Sequence, residues 1–380
     1  MKIGILTYHR SHNYGALLQA VALRHVLAEM GHEAFFIDYW PEYHKDIYRV
    51  VSRQALRGLS LPTKLRRITS TLLRYRYDGP RRKRFFEFIR QYIEPHCRPM
   101  HERMDLVVCG SDQIWRKQSR LGGHFNPVYF GEDIPAAKCF ASYAASMGII
   151  DINEADRADL RRWLSKFSDV SVRESDLAEA LREAGVENVR QVVDPTLLLD
   201  ADGWRRLMPV DEGRPERRYA LFYDLMPDSF DLTAIRRFCA ARGLELKIMP
   251  GVIRNLSYPK EYLTACGPLE MLRLIANADL VFTSSFHGLV FSIIFNRPFM
   301  TAFAKNAGRA ASLLQATALQ ERLLTPMANQ LPDCADINFP AVNARLEALR
   351  SASFDFLKTT LDHTRATLAQ TAALEGDAGH

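Results

Sequence analysis

The sequence predicts an α/β protein of two parallel-sheet, Rossmann-like domains with a cleft between them. Three observations carry that expectation. Short apolar runs alternate with stretches of helical spacing along most of the 380 residues, the pattern of parallel strands covered by helices on both faces. A polar stretch from Asp200 to Arg218, holding Gly203, Pro209, Gly213 and Pro215, interrupts the alternation as a linker does. Several apolar runs end in polar turns that lead into helices, and open sheets of this kind bind ligands at the carboxyl ends of their strands.

The elements follow in order. Residues 2–7 read as a strand; Ala16, Ala20, Leu23, Leu27 and Met30 then recur at helical spacing, Gly31 closes that helix, and Ala34–Asp38 is the next strand. Further strands are expected at Asp105–Cys109, Cys139–Tyr143, Val170–Arg173 and Val189–Val193, with a helix at Ser175–Ala184 stopped by Gly185. Beyond the polar stretch come strand Tyr219–Tyr223, helix Phe230–Ala241, strand Glu245–Met249, helix Leu269–Ala276, strand Leu280–Thr283, helix Phe286–Phe295 and strand Phe299–Ala302. From about Val342 the chain is alanine-rich and helical, fraying after Leu374. The expected division is a first domain over 1–200 with a basic helical segment at 49–103, a linker at 201–218, a second domain over 219–335 and a helical tail over 336–380.

Apolar residues make up 47% and charged residues 25% of the chain, as in an ordinary globular protein. The opening, Met1 to Arg10, has too short an apolar run for a signal peptide, and no stretch approaches the roughly 18 apolar residues of a membrane span; the expectation is a cytoplasmic protein. Cys97, Cys109, Cys139, Cys239, Cys266 and Cys334 contain no C-x-x-C pair, which argues for buried free thiols over zinc or disulfides. No metal cluster is evident, and no cofactor is expected. The net charge of +6 is uneven: Arg49 to Arg103 holds 15 Lys and Arg against 4 Asp and Glu, +11, which leaves 6 − 11 = −5 for the remainder. That segment is either a solvated helical surface or a face for an anionic partner such as a membrane. No nucleic-acid motif accompanies it, so nucleic acid is not expected as a partner.

The strongest chemical signal is Thr283-Ser284-Ser285-Phe286-His287-Gly288. A strand, a polar turn and a helix N-terminus make a ready anion site, and a histidine in the first turn can also move a proton. Asn13, Tyr14, Gly15 and Gln19 form a second helix start after the first strand, without G-x-G-x-x-G, so either a ligand site or a capped turn. After the strand at Asp105–Cys109, Gly110 permits close backbone approach, and Asp112, between Ser111 and Gln113, is a candidate base or a cap. Arg173 at a strand end can grip a carboxylate or phosphate, or pair with a neighbouring acid. Lys305 and Arg309 follow the strand after the histidine helix and can reach the same anion as His287, or stay solvated.

Taken together these segments resemble the polysaccharide pyruvyl transferase family. The matching pieces are Asn13-Tyr14-Gly15-Ala16 with Gln19, Gly110-Ser111-Asp112-Gln113-Ile114-Trp115, Ser142-Tyr143-Ala144-Ala145-Ser146, Ser171-Val172-Arg173-Glu174, Asp194-Pro195-Thr196-Leu197-Leu198 and Ser285-Phe286-His287-Gly288. They run in the expected order from residue 2 to about 325; the basic segment and the tail match least. The resemblance implies a glycosyltransferase-B-like arrangement of the two domains, and transfer of a pyruvyl group from phosphoenolpyruvate to a sugar, or to a lipid-linked oligosaccharide, as a ketal. It also implies that Arg173 and His287 bind the donor or act on it. Many relatives carry an arginine two residues before this histidine, or close to it; here Ser285 and Phe286 precede it, and either Arg309 or Lys305 supplies the missing cation or the donor sits differently.

On this reading His287 is the acid or phosphate ligand, Arg173 the carboxylate clamp and Asp112 the base, with Asn13, Tyr14, Gly15, Gln19, Gly110, Ser111, Gln113, Ser285, Phe286, Gly288, Lys305 and Arg309 lining the substrate site. A nucleotide-sugar glycosyltransferase and a non-catalytic sugar-binding protein remain alternatives on the same architecture. The basic segment would then hold the protein near a membrane bearing lipid-linked acceptors.

Overall fold

Apolar runs too short for helices become strands buried on both faces. In a computed structural model, which describes residues 1–49, 51, 56–208, 217–333 and 336–377, the first half comprises β1 (Lys2–Leu6), α1 (Tyr14–Glu29), β2 (Glu33–Ile37), α2 (Glu42–Tyr48), α3 (Leu61–Tyr92), β3 (Cys97–Arg98), β4 (Met104–Cys109), β5 (Ala137–Ser142), α4 (Glu154–Leu164), β6 (Phe167–Val172), α5 (Ser175–Glu183) and β7 (Val189–Gln191). Its sheet has the order β3-β2-β1-β4-β5-β6-β7, with every pair parallel. The strand order reverses at β1/β4, the point where such sheets open a crevice at their carboxyl ends.

The second half follows α6 (Ala201–Leu207) with β8 (Tyr219–Asp224), α7 (Leu232–Ala241), β9 (Glu245–Pro250), α8 (Pro268–Ala276), β10 (Leu280–Thr283), α9 (Phe286–Ile294), β11 (Phe299–Thr301) and α10 (Gly308–Thr317). Its parallel sheet runs β11-β10-β8-β9. Alternate strand residues supply different cores, because side chains of a strand point to opposite faces. Ile3, Ile5, Leu106 and Val281 face a shared core between the two sheets, which α1, α8 and α9 also fill. Leu6, Val107 and Cys109 face an outer core with Trp115, Phe130 and Trp163, and Phe222, Ile248 and Phe282 face the outer core of the second sheet. Being wedged between the sheets, α1 is buried on nearly every side and lacks a polar face.

Three features depart from the sequence reading. The expected linker begins with α6, capped by Asp200, whose side chain accepts from the Gly203 amide at 2.7 Å; 209–216 lie outside the described residues. The tail is a single helix, α11 (Phe339–Asp377), with no break at Leu374, and it returns to the first half. There the Val193 amide donates to Ser353 Oγ at 3.1 Å, Arg350 Nε to the Leu197 carbonyl at 2.9 Å, and Val342, Phe356 and Leu357 enter the shared core. Helices α2, α4 and α10 were not anticipated, although Asn153 and Asp156 form a full capping box at the start of α4. Cys109, Cys139, Cys239 and Cys266 are buried free thiols and Cys97 is half-buried; Cys334 lies outside the described residues.

Candidate functional site

The two turns singled out by the sequence meet each other between the sheets. At the start of α1, Asn13 caps the helix, its side chain accepting from the Ala16 amide at 3.2 Å. At the start of α9, Ser285 does the same for the Gly288 amide at 3.4 Å, and Ser284 Oγ accepts from the Leu225 and Met226 amides, each at 2.9 Å. The His287 imidazole lies flat against Gly15: a Cβ on residue 15 would stand 1.9 Å from His287 Nδ1. Glycine is therefore required there for close approach rather than for its dihedral freedom. Gly288 is needed for a similar reason, since a Cβ would sit 2.2 Å from Thr283 Oγ1 and 2.9 Å from the Tyr223 ring.

Behind the imidazole stands a buried ion cluster. Asp194 Oδ2 lies 2.5 Å from Arg173 Nη1, 3.5 Å from His287 Nε2 and 3.4 Å from Ser111 Oγ, while its Oδ1 accepts from the Thr196 amide at 3.0 Å and the Thr196 hydroxyl at 2.7 Å. Burial would raise the Asp194 pKa, but His287, Arg173 and Thr196 outweigh it and hold the carboxyl well below the usual range. Burial likewise opposes the Arg173 charge, yet Glu174 and Asp194 raise its pKa further. Glu174 Oε1 accepts from Ser146 Oγ at 2.6 Å and lies 3.4 Å from Arg173 Nε and 3.8 Å from Arg309 Nε. Both guanidinium carbons stand 5.3 Å from the centre of the Phe286 ring, within reach of cation–π attraction. Burial and the Arg173 charge bring Arg309 down to about 10, still cationic at neutral pH. Arg173 Nη2, Glu174 Oε2 and His287 Nε2 are buried without a hydrogen-bond partner among the described residues, a concentration of unsatisfied groups that marks functional sites.

A cleft of about 320 Å³ opens in front of this cluster, with Asn13, Asp112, Gln113, Arg116, His287 and Arg309 among its walls. Asp112 sits at φ 75°, a left-handed conformation that few non-glycine residues adopt. It is held there by the Ser146 amide donating to its carbonyl at 3.1 Å and by its own Oδ1 accepting from the Gln113 amide at 2.8 Å. On the same side, burial pushes His44 down to about 4, so its imidazole stays neutral near pH 7. Two guanidiniums (Arg116 and Arg309), two imidazoles (His44 and His287) and one carboxylate (Asp112) thus face the cleft, and the two guanidiniums against one carboxylate give it a cationic character suited to a small anion.

Of the residues expected from the sequence, Asn13, Asp112, Gln113, Ser285, Phe286, His287 and Arg309 line this cleft. Gly15, Gly110, Ser111 and Gly288 are not in its lining: Gly15 backs the imidazole, Gly110 packs against Leu23 and Ile5 of the shared core, and Gly288 packs against Thr283 and Tyr223, while Ser111 is buried beside Asp194. Tyr14 instead joins the two halves, donating to the Cys266 carbonyl at 2.8 Å. Gln19 is turned inward, donating to Thr7 Oγ1 at 3.0 Å and the Ala16 carbonyl at 2.8 Å. Arg173 is not in the lining of this cleft but in that of a second cavity against α10 and α11, which Phe286 and Arg309 also line. Lys305 is exposed to solvent, so of the two cations expected to stand in for the absent arginine, Arg309 is the one in the cleft. Asp194, Glu174 and Arg116 were not foreseen as site residues. Asp194 and Glu174 did lie inside quoted motifs, but nothing local tells a cap from an ion-pair partner; Arg116 follows such a motif with no distinguishing neighbour.

A second cluster gathers His9, Asp38 and Cys97, whose ligand atoms lie within 4.8 Å of one another. Arg10 Nε already donates to Asp38 Oδ1 at 2.8 Å, and burial pushes the Cys97 thiol up to about 11. The trio therefore presents a single anionic ligand that is already paired, a poor donor set for a metal ion.

Among solved structures, the fold is similar to the UDP-GlcNAc 2-epimerase of Methanocaldococcus jannaschii, with 11% identity, TM-score 0.45 and 91% of this chain and 92% of the other covered. It is also similar to the UDP-GlcNAc 2-epimerase of Neisseria meningitidis, with 10% identity, TM-score 0.43 and 95% and 94% covered. A third likeness is to the glycosyltransferase SnogD of Streptomyces nogalater, with 13% identity, TM-score 0.41 and 97% and 99% covered. No curated protein matches the chain. Two parallel Rossmann-like sheets facing each other across a cleft, with the last helix returning to the first half, make the arrangement glycosyltransferase-B-like. The family model described as polysaccharide pyruvyl transferase matches residues 13–304, a span that includes both helix starts, the Asp194 ion cluster and His287, and the chain belongs to that family.

Proposed function

We propose that this protein transfers a pyruvyl group from phosphoenolpyruvate to two hydroxyls of a sugar in a polysaccharide or its precursor, forming a ketal. The observation that carries the reading is the convergence of His287, Arg309 and Arg116 on one cleft, with Asp194 behind the imidazole. Phosphoenolpyruvate carries a phosphate and a carboxylate, which call for guanidinium groups and helix-end amides. Arg309 and Arg116 are the groups assigned to hold them. Arg173 is engaged with Asp194 and Glu174, so its part is to fix Asp194, and through it the imidazole.

In the reaction His287 donates a proton to the methylene carbon, which becomes the methyl group. Positive charge develops at the central carbon, and the Asp112 carboxylate in the same cleft favours it. One sugar hydroxyl adds there. The carbon–oxygen bond to phosphate then breaks with its electron pair moving to phosphate, and the second hydroxyl closes the ketal. Of the two hydroxyl protons, one returns to His287 through Asp112 or directly, and the other leaves on phosphate. The products are the ketal and inorganic phosphate.

The test is to incubate the protein with phosphoenolpyruvate and a panel of sugar acceptors and to follow phosphate release. Release that depends on both donor and acceptor is the expected result. Consumption of a nucleotide sugar, with no phosphate released from phosphoenolpyruvate, would replace this reading with glycosyl transfer.

A further inference from the structure

Helix α3 is divided into two unlike halves. Its carboxyl half is anchored: Arg81, Phe85, Phe88 and Ile89 are buried, Arg81 Nη2 donates to the Gly251 carbonyl at 2.6 Å, and Arg84 pairs with Glu270 at 2.8 Å. In its amino half no residue from Leu61 to Gly79 is buried. Leu61, Leu65, Ile68, Leu72 and Tyr75 recur there at i, i+4, i+7, i+11 and i+14, so they form one stripe along the helix. Leu61 is 75%, Leu65 62% and Leu72 58% exposed, an apolar row that no part of the described chain covers. The charges on this half of the helix have one sign: from Leu61 to Tyr77 the sequence holds Lys64, Arg66, Arg67, Arg74 and Arg76 and no Asp or Glu.

We propose that the amino half of α3 is a membrane-docking face that seats on an anionic lipid bilayer, independently of which donor the cleft takes. An exposed leucine stripe flanked by cations is the pattern of a helix lying in a bilayer interface, with its apolar side among the acyl chains and its cations at the phosphates. Charge decides between this occupant and a second copy of the chain. The same spacing would suit helix pairing, but two copies would set their rows of like charges side by side. An anionic bilayer satisfies stripe and flanks together. No described helix is long and apolar enough to cross a membrane, so the contact is peripheral. Ile47 and Tyr48 line both the catalytic cleft and the adjoining pocket against α3, so docking brings the cleft mouth close to the lipid surface.

The experiment is vesicle flotation of the full chain with phosphatidylcholine alone and with phosphatidylcholine mixed with phosphatidylglycerol, while solution mass is measured by light scattering. The expected result is binding to the anionic vesicles that salt weakens, with little binding to the neutral ones. Arg66→Gln and Arg76→Gln should each weaken it about fivefold. The triple change Leu61→Ser, Leu65→Ser, Leu72→Ser should weaken it by at least about tenfold. These residues are exposed, so thermal unfolding of each variant should match the parent. Equal binding to both kinds of vesicle, or triple-variant binding equal to that of the parent, would overturn the proposal. So would a parent dimer that the triple variant dissolves, which assigns the stripe to a second copy.

Discussion

The starts of α1 and α9 share one local design and do opposite things with it. Each follows the carboxyl end of a parallel strand, each is capped by a small polar residue, and each has a glycine in its first turn. On α9 the turn presents a histidine toward the other half. On α1 the turn withdraws, and Gly15 leaves the space that the histidine fills. The pair shows that a helix N-terminus at a strand end is only a permissive feature. Which one offers a reactive group, and which one makes room for it, depends on the opposing surface.

This contrast can be broken most severely at the imidazole. His287→Ala should lower turnover by roughly 10²–10⁴-fold if His287 transfers the proton, with thermal unfolding little changed; full activity in a folded variant would remove it from the mechanism. Asp194→Ala should cost about 3–5 kcal/mol of stability, because it leaves the Arg173 guanidinium buried without its closest carboxylate. Urea unfolding measures this, and a loss below 1 kcal/mol would mean that Glu174 alone suffices.

Gly15→Ala sharpens the comparison. The added methyl cannot coexist with the imidazole in its present position, and the strain should amount to about 1–3 kcal/mol. Turnover should fall with it, because His287 must shift. Gly288→Ala should cost a similar amount of stability through Thr283 and Tyr223, which lie in the same half as His287. Only the first variant reads the contact between the halves: Gly15→Ala as stable as the parent would show that the two starts do not press on each other.

The smallest effect is on pH dependence. Burial holds His12 and His44 at about 4 in the folded protein, below the ordinary histidine value near 6.5. The unfolded chain therefore binds more protons between these values, and stability should decline as pH falls from about 6.5 to about 4. Asp194, held low, contributes stability that is fully present above the ordinary carboxylate range and is lost only as pH falls below about 4. Melting temperature against pH, for the parent and for His44→Gln, separates the two: the variant should show a shallower decline in the upper window and the same loss below it.

Much of the site was legible one segment at a time. The run Leu280–Thr283 followed by Ser284, Ser285 and His287 announced a strand, a capped turn and a placed imidazole, and all three stand as expected. Arg173 was visible at a strand end, but its partner Asp194 lies 21 positions away, and no local pattern reports which carboxylate a guanidinium meets. Gln19 looked like a cleft residue because it is polar at a helix start; its amide is instead consumed by Thr7 and Ala16. The basic character of α3 could be counted, while the split into an anchored half and a bare leucine stripe emerged only with the packing around Arg81 and Phe85.

By itself the sequence determined the α/β class, the alternation of strands and helices, and the turns at which chemistry could be housed. These depend on periodicity and on the conformational preferences of residues a few positions apart, both of which are written locally. Tertiary structure decided that His287 rests on Gly15, that Asp194 joins Arg173 to the imidazole, that Arg309 rather than Lys305 reaches the cleft, and which half of α3 is left uncovered. Those outcomes follow from how two sheets and a returning helix pack around one core, where burial sets the charge state of each group and the choice of its partner.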